Sequence, residues 1–312
     1  MRIYVLTKGI KSVMRLVNFS RKALPKPQPG ALDDEDRVNE IYIARSMIGL
    51  LNKEASMVPD EPESVITHGL DEVNLHAPLV QPSSIRDFYA FEQHVKTANQ
   101  NRGRDVPPVW YEIPVFYYTN HTAIYGPEDT IPYPKGSDAL DYELEVACVI
   151  GEECRDLRAE DAEPYIFGYM IYNDWSARDV QKQEMSVGLG PAKGKDFAQS
   201  FGPYLVTPED LSDRRTNRPG VYDLEMIARV NGEERSRGNW QDLHWSFGQM
   251  IERASASTTL YPGDVIGSGT VGTGCLLELT KGAGPWLQPG DVVELEIERL
   301  GVLRNTVGER PE

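Results

Sequence analysis

Two carboxylates one residue apart, Glu143 and Glu145, lie in the run Asp141-Tyr142-Glu143-Leu144-Glu145-Val146-Ala147-Cys148-Val149-Ile150-Gly151. In an extended strand alternate side chains share a face, so Glu143 and Glu145 point with Ala147 and Val149, and Tyr142, Leu144, Val146, Cys148 and Ile150 point the other way. Both faces are largely apolar, the pattern of a strand buried on both sides. Two acids on one buried face raise each other's pKa and need a compensating partner, for which a divalent cation is a common choice. The chain carries its own control in Val293-Glu294-Leu295-Glu296-Ile297-Glu298. There the glutamates alternate cleanly with aliphatics, which predicts a half-exposed strand with a solvated acidic face.

Other residues able to do chemistry are scattered. Ser84-Ile85-Arg86-Asp87-Phe88-Tyr89-Ala90-Phe91-Glu92-Gln93-His94-Val95 reads as helical in its latter half. Asp87 fits the acidic position of a Ser-x-x-Asp helix start, and His94 taken alone is a structural or surface histidine as readily as a base. Phe167 to Tyr172 reads as a strand that stops at Asn173-Asp174 before a helix. Asp174 fits its N-cap, and Arg178 and Gln181 share its helical face. The glycine-rich stretch Gly188 to Gly194 ends in Lys195 but lacks the spacing and hydroxyl of a phosphate-binding loop, so a flexible lid carrying a lysine is expected. Leu276-Leu277-Glu278-Leu279 places another carboxylate in an apolar run read as a strand.

The elements that must position these groups are mostly strands. A chain of 312 residues with 40% hydrophobic and 26% charged residues can bury a substantial core, and 15 Tyr, 22 Pro and 27 Gly favour strands and turns. The formal charge of −16 disfavours nucleic acid and anionic membrane as partners, and no apolar run reaches the ~18 residues needed to span a bilayer. Cys148, Cys154 and Cys275 have no metal-ligand spacing and are odd in number, which predicts a reducing, cytoplasmic setting with Cys148 as a small core hydrophobe. Residues 1–13 read as an extension without signal-peptide character, with the ordered chain starting at Met14. Residues 14–72 form a small N-terminal domain with a strand from Arg15, a Pro-rich loop at Pro25 to Pro29 and a helix-like Ile41 to Asn52; residues 73–312 form the main body. In that body Trp110 to Tyr118 reads as an aromatic strand, Ala162 to Ile166 as a short helix, and Asn231-Gly232 as a hairpin turn after Leu224 to Val230.

Six segments in one order then resemble the fumarylacetoacetate hydrolase (fumarylacetoacetase) superfamily, from about Leu75 to Val307. They are Asp141-Tyr142-Glu143-Leu144-Glu145, Asn173-Asp174-Trp175-Ser176-Ala177-Arg178-Asp179-Val180-Gln181, Gly194-Lys195-Asp196-Phe197, Val230-Asn231-Gly232-Glu233, Pro262-Gly263-Asp264-Val265-Ile266 with Gly269-Thr270, and Pro289-Gly290-Asp291-Val292-Val293. The resemblance implies a mixed α/β, β-rich fold of the mixed β-roll type, a homodimer, and Mg²⁺ or Ca²⁺ (Mn²⁺ as a substitute) held by Glu143, Glu145 and Asp174, with Asp87 as a further ligand. All-oxygen, carboxylate-rich sites do select hard divalent cations. It further implies His94 as general base, with Glu278 as the carboxylate that orients it.

The function implied is metal-dependent hydrolysis of a C–C bond in a small anionic dioxo acid, an acylpyruvate- or fumarylacetoacetate-like 1,3-diketone. Lys195, Arg178 and Gln181 are then expected to bind negative charge, and Tyr89, Tyr117 and Thr270 to line the pocket. Fumarylacetoacetases of the animal type carry an aromatic substrate contact shortly after the Gln181 position, where this chain has Gln183-Glu184-Met185. Two alternatives stand beside hydrolysis. One is a decarboxylase, isomerase or dehydratase of 2-oxo acids on the same fold; the other is a binding protein whose buried acids only hold a structural cation.

Overall fold

The computed structural model describes residues 15–22, 24–41, 46–52 and 66–311. The extension 1–13 and the expected start at Met14 lie outside these residues. The fold is mixed α/β and strand-rich, as the resemblance implies. Its largest sheet runs in the order Thr67–Gly69, Arg37–Glu40, Leu24–Leu32, Arg15–Arg21, Gln199–Val206, Ile166–Asp174, Leu144–Ile150, Asp264–Gly267, Ser84–Phe88, Phe116–Tyr118. Most neighbours are antiparallel, but Asp264–Gly267 and Ser84–Phe88 pair in parallel. A second sheet orders Glu233–Asn239, Glu225–Val230, Val292–Ile297, Gly301–Val307 and Thr130–Ile131. Among the described residues no helix is long and apolar enough to cross a membrane.

The Leu144–Ile150 strand is buried along its whole length. Leu144, Val146, Cys148 and Ile150 pack with Met226, Ala228, Val293 and Leu295 of the second sheet. Ala147 and Val149 pack on the other side with Met170, Tyr172, Phe201 and Val265. An apolar environment on each face is what the unbroken apolar run requires. The Val292–Ile297 strand alternates half-buried and buried residues, with its glutamates on the wetter face.

Long-range pairing overrides several local expectations. Pro25 to Pro29 is no loop but part of the Leu24–Leu32 strand, which pairs along Arg15–Arg21. Pro29 turns its backbone to the other edge, where Ile41 N–H donates to its carbonyl, and Pro25 and Pro27 lie where the register against Arg15–Arg21 shifts; pairing with Arg37–Glu40 begins only at Gly30. Of the helix expected over Ile41 to Asn52, Met47–Leu51 is helical, capped by Ser46, whose hydroxyl accepts from Gly49 N–H, and by Asn52; Ile41 is not helical, and 42–45 lie outside the described residues. The aromatic segment from Trp110 is a 3-10 turn, Pro108–Tyr111, before a short strand, Phe116–Tyr118. Ala162 to Ile166 holds only a 3-10 turn, Glu163–Tyr165. Arg15 and Leu16 pair with Val206 and Leu205, so the N-terminal strands continue the main sheet.

Candidate active site and metal centre

Three acids converge from neighbouring strands at one end of the large sheet. Glu145 pairs across to Tyr172, one strand away, and Asp174 ends that same Ile166–Asp174 strand. On the other side Ala147 pairs with Gly267, and Gly267 with Asp87. A Cβ at Gly267 would stand 2.5 Å from Asp87 Oδ1, so glycine is required for the acid to lie where it does. Asp87 therefore belongs to a strand, and the following helix, Glu92–Gln100, starts after Phe91. Asp174 is likewise no N-cap, because the next helix begins at Arg178 with Ala177 at its cap.

Asp87, Glu145 and Asp174 each offer a carboxylate oxygen within 4.8 Å of the others, and all three are buried. Burial pushes Asp87 and Glu145 well above the usual carboxylate range; Asp174 adds to this at Asp87, and Asp87 at Glu145. Asp174 is also raised by burial, with Lys195 opposing. Glu145 Oε1 and Asp174 Oδ1 have no hydrogen-bond partner. Orphaned buried carboxylate oxygens in an all-oxygen cluster fit a hard divalent cation, which these three residues would hold.

Glu143 stands beside this trio in a different setting. The strand proper begins at Leu144, and Asn173 Oδ1 accepts the Glu143 N–H at 2.9 Å. Its carboxylate accepts from Arg178 Nη2 at 2.8 Å and from Lys195 Nζ. Burial alone would raise it, but Lys195 and Arg178 outweigh burial and hold Glu143 well below the carboxylate range. Lys195 Nζ also donates to Asp174 Oδ2 and lies 5.7 Å over the Tyr117 ring. Burial pulls Lys195 down, yet Asp174 and Glu143 carry it above its ordinary value. The Tyr117 hydroxyl donates to Asp174 Oδ2, and burial with Asp174 and Asp87 raises its pKa.

His94 and Glu278 meet across the chain. His94 Nδ1 faces Glu278 Oε1 in a short hydrogen bond, and Glu278 Oε2 accepts from Thr273 N–H at 3.1 Å. An ionised carboxylate only accepts, so Nδ1 donates to Glu278 and Nε2 is the nitrogen turned toward a substrate or water. The segment bearing Glu278 is a helical turn, Leu276–Leu279, and not the expected strand. Its N–H groups at Leu276 and Leu277 donate to the Asp141 carboxylate at 2.8 and 3.0 Å, a stop that no local pattern announces.

One cavity of about 260 Å³ joins these groups. Asp87, Glu143, Glu145, His94, Arg178 and Lys195 line it, with Tyr89, Tyr117, Gln181 and Thr270 around them. The Tyr89 and His94 rings meet edge-on at 5.3 Å. Arg178 Nη1 donates to Gln181 at 3.2 Å. Every site residue named from the sequence thus lines this cavity except Asp174 and Glu278, which stand behind Lys195 and His94. The sequence did not flag Arg102, which lines the cavity and is desolvated enough to lower its pKa. Val115, Phe116, Met185 and Leu277 make the apolar wall. Met185 lies in the stretch where an aromatic contact was the family expectation. The loop after it is tethered: the Glu184 carboxylate accepts from Ala192, Lys193 and Gly194 N–H at 2.7, 2.8 and 3.0 Å.

Comparison with known proteins gives a coherent picture. The family model described as fumarylacetoacetate (FAA) hydrolase, C-terminal, matches residues 83–308. A 2,4-didehydro-3-deoxy-L-rhamnonate hydrolase of Sphingomonas sp. (strain SKA58) is 36% identical over 199 residues, 63% of this chain and 65% of that protein. The oxaloacetate tautomerase YisK of Bacillus subtilis (strain 168) is 31% identical over 254 residues, 80% of this chain and 78% of that one. The solved fumarylacetoacetate hydrolase from psychrophilic Exiguobacterium antarcticum aligns with a TM-score of 0.75 at 27% identity, covering 95% of this chain and 100% of that one.

Proposed function

The chain belongs to the fumarylacetoacetate hydrolase superfamily, and from that premise we propose that it is a divalent-metal-dependent hydrolase that cleaves a C–C bond of a small acidic 1,3-diketone, acylpyruvate- or fumarylacetoacetate-like. The observation that carries the reading is the His94–Glu278 pair opening on the same cavity as the acid cluster. A Mg²⁺ or Ca²⁺ ion held by Asp87, Glu145 and Asp174, with Glu143 at its edge, would supply Lewis-acid polarisation of the substrate's oxygens.

The chain's own groups do the rest. His94 Nε2 takes a proton from water as the water oxygen attacks the distal carbonyl carbon, and Glu278 stabilises the imidazolium that forms. The C–C bond then breaks, its electron pair leaves as an enolate, and the His94 proton returns to the enolate carbon. Lys195 and Arg178 set positive charge beside the substrate's carboxylate end. The wall of Val115, Phe116, Met185 and Leu277 takes the acyl chain and keeps bulk water away, and Arg102 binds a polar group at the far end. A homodimer in the cytoplasm completes the proposal, supported by the family resemblance and by three unpaired cysteines.

The relation to an oxaloacetate tautomerase favours a second reading, proton transfer on a 2-oxo acid without attack by water. A decarboxylase, isomerase or dehydratase stands with it. Product analysis separates them. Wild type should cleave an acylpyruvate, and His94→Ala should lower kcat by about 10²–10⁴-fold, the usual contribution of a general base. Oxaloacetate turnover retained in His94→Ala, with no cleavage of any 2,4-dioxo acid by wild type, would overturn hydrolysis and install the second reading.

A further inference from the structure

Asp141 is fully buried, does not line the active-site cavity and yet has both carboxylate oxygens engaged. Oδ2 accepts from Arg178 Nε at 2.8 Å and from Leu277 N–H at 3.0 Å, and Oδ1 accepts from Leu276 N–H at 2.8 Å. Arg178 turns its other edge to Glu143 at 2.8 Å. Leu276 and Leu277 open the turn whose third residue, Glu278, faces His94. Asp141 is itself fixed, because Leu140–Asp141 pairs with Ser176–Ala177, immediately before Arg178.

We infer that Asp141 is a positioning residue: one buried carboxylate sets the Glu278 turn in register with Arg178 and so aligns the base pair with the acid cluster. The two halves of the site otherwise come from segments far apart in the chain, and a turn of four residues has little intrinsic stability to fix its own angle. A carboxylate that accepts from a guanidinium and two backbone N–H groups supplies charge-assisted bonds with defined direction. An amide in its place keeps an acceptor for one partner and turns a donor toward another, so the turn or the guanidinium must shift.

The inference rests on the proposed role of Glu278, and a double-mutant cycle keeps the two separable. Asp141→Asn should lower kcat by about 10–100-fold, the range for residues that orient catalytic ligands, while the metal-induced rise in melting temperature changes little. In the Glu278→Gln background the same substitution should add almost nothing, because the group it positions is already disabled. Leu276→Pro is an independent variant. It removes one N–H to Asp141 but keeps the Arg178 pair, at a first helical position where proline is tolerated after the extended Cys275 (φ −150°, ψ 159°). It should also lower kcat and also couple to Glu278→Gln, and it decides the matter if Asp141→Asn does not fold. An undiminished loss in the Glu278→Gln background, or unchanged kcat in a folded variant, would overturn the inference. A Glu278→Gln single variant with wild-type kcat would instead overturn the functional reading beneath it.

Discussion

Replacing Glu145 by glutamine should move stability in opposite directions with and without a divalent cation. Oxygens of Asp87, Glu145 and Asp174 lie within 4.8 Å of one another. Two unit charges at that distance repel by about 3 kcal/mol at an effective dielectric of about 20. The metal-free protein relieves this by binding protons, as the raised pKa values of Glu145 and Asp87 imply. Between the ordinary carboxylate range and those raised values the native state holds more protons than the unfolded chain. Metal-free stability therefore falls as pH rises through that window. Glu145→Gln removes one such group, so its metal-free melting temperature should be higher at neutral pH and should fall less steeply as pH rises above the ordinary carboxylate range.

With the cation the order reverses. At about 100 times its Kd, a ligand bound only by the native state adds about 2.7 kcal/mol, or about 5 °C at ~2 °C per kcal/mol for a domain of this size. Loss of an anionic ligand should weaken binding by at least about 100-fold, the upper end of what outer partners cost. The variant then gains only about 0.4 kcal/mol at the same metal concentration, under about 1 °C. Thermal melts of both proteins in chelator and in excess Mg²⁺ or Ca²⁺ make the comparison. Equal metal-induced rises, or equal pH slopes in chelator, would refute the assignment of these three acids.

Arg102→Gln should raise KM several-fold for a dioxo acid with a second terminal carboxylate and leave a short-chain monoacid nearly unaffected; equal changes for both in steady-state kinetics would remove Arg102 from substrate binding. Glu184→Gln should loosen the 186–194 segment, whose three N–H groups its carboxylate gathers, and increase protease cutting there. Metal plus an unreactive dioxo-acid analogue should protect this segment in wild type, and unchanged cleavage would count against a lid.

Much of this was legible from local pattern. The doubly apolar run after Glu143 predicts a strand buried on both faces, and the pleat sorts its residues onto the two clusters found. Asn231-Gly232 turns as predicted, with φ of 54° and 77°, a geometry those residue types tolerate. What local pattern misses depends on distant partners. Leu276–Leu279 is helical because a carboxylate 135 residues away accepts its first N–H. Pro25 to Pro29 is a strand because its neighbour needs only the edge that proline leaves intact. Asp87 has the spacing of a helix start, but parallel pairing with Asp264–Gly267 draws it into the sheet.

The pair Glu143 and Glu145 shows why spacing identifies a site before it assigns roles. Both line the cavity, yet their pKa values move apart: Lys195 and Arg178 hold Glu143 low, whereas burial and Asp87 drive Glu145 up. Arg178 and Lys195 engage Asp141 and Glu143, and Lys195 also reaches one oxygen of Asp174. The carboxylates left without a guanidinium or full ammonium partner are Asp87, Glu145 and one oxygen of Asp174, and the orphaned oxygens of the cluster, Glu145 Oε1 and Asp174 Oδ1, are found there too. The proposed hard-cation site is thus the remainder of the ion-pair network. In that proposal Arg178 and Lys195 help define the metal's place by engaging Asp141, Glu143 and one oxygen of Asp174, which leaves Asp87, Glu145 and the other Asp174 oxygen for the ion.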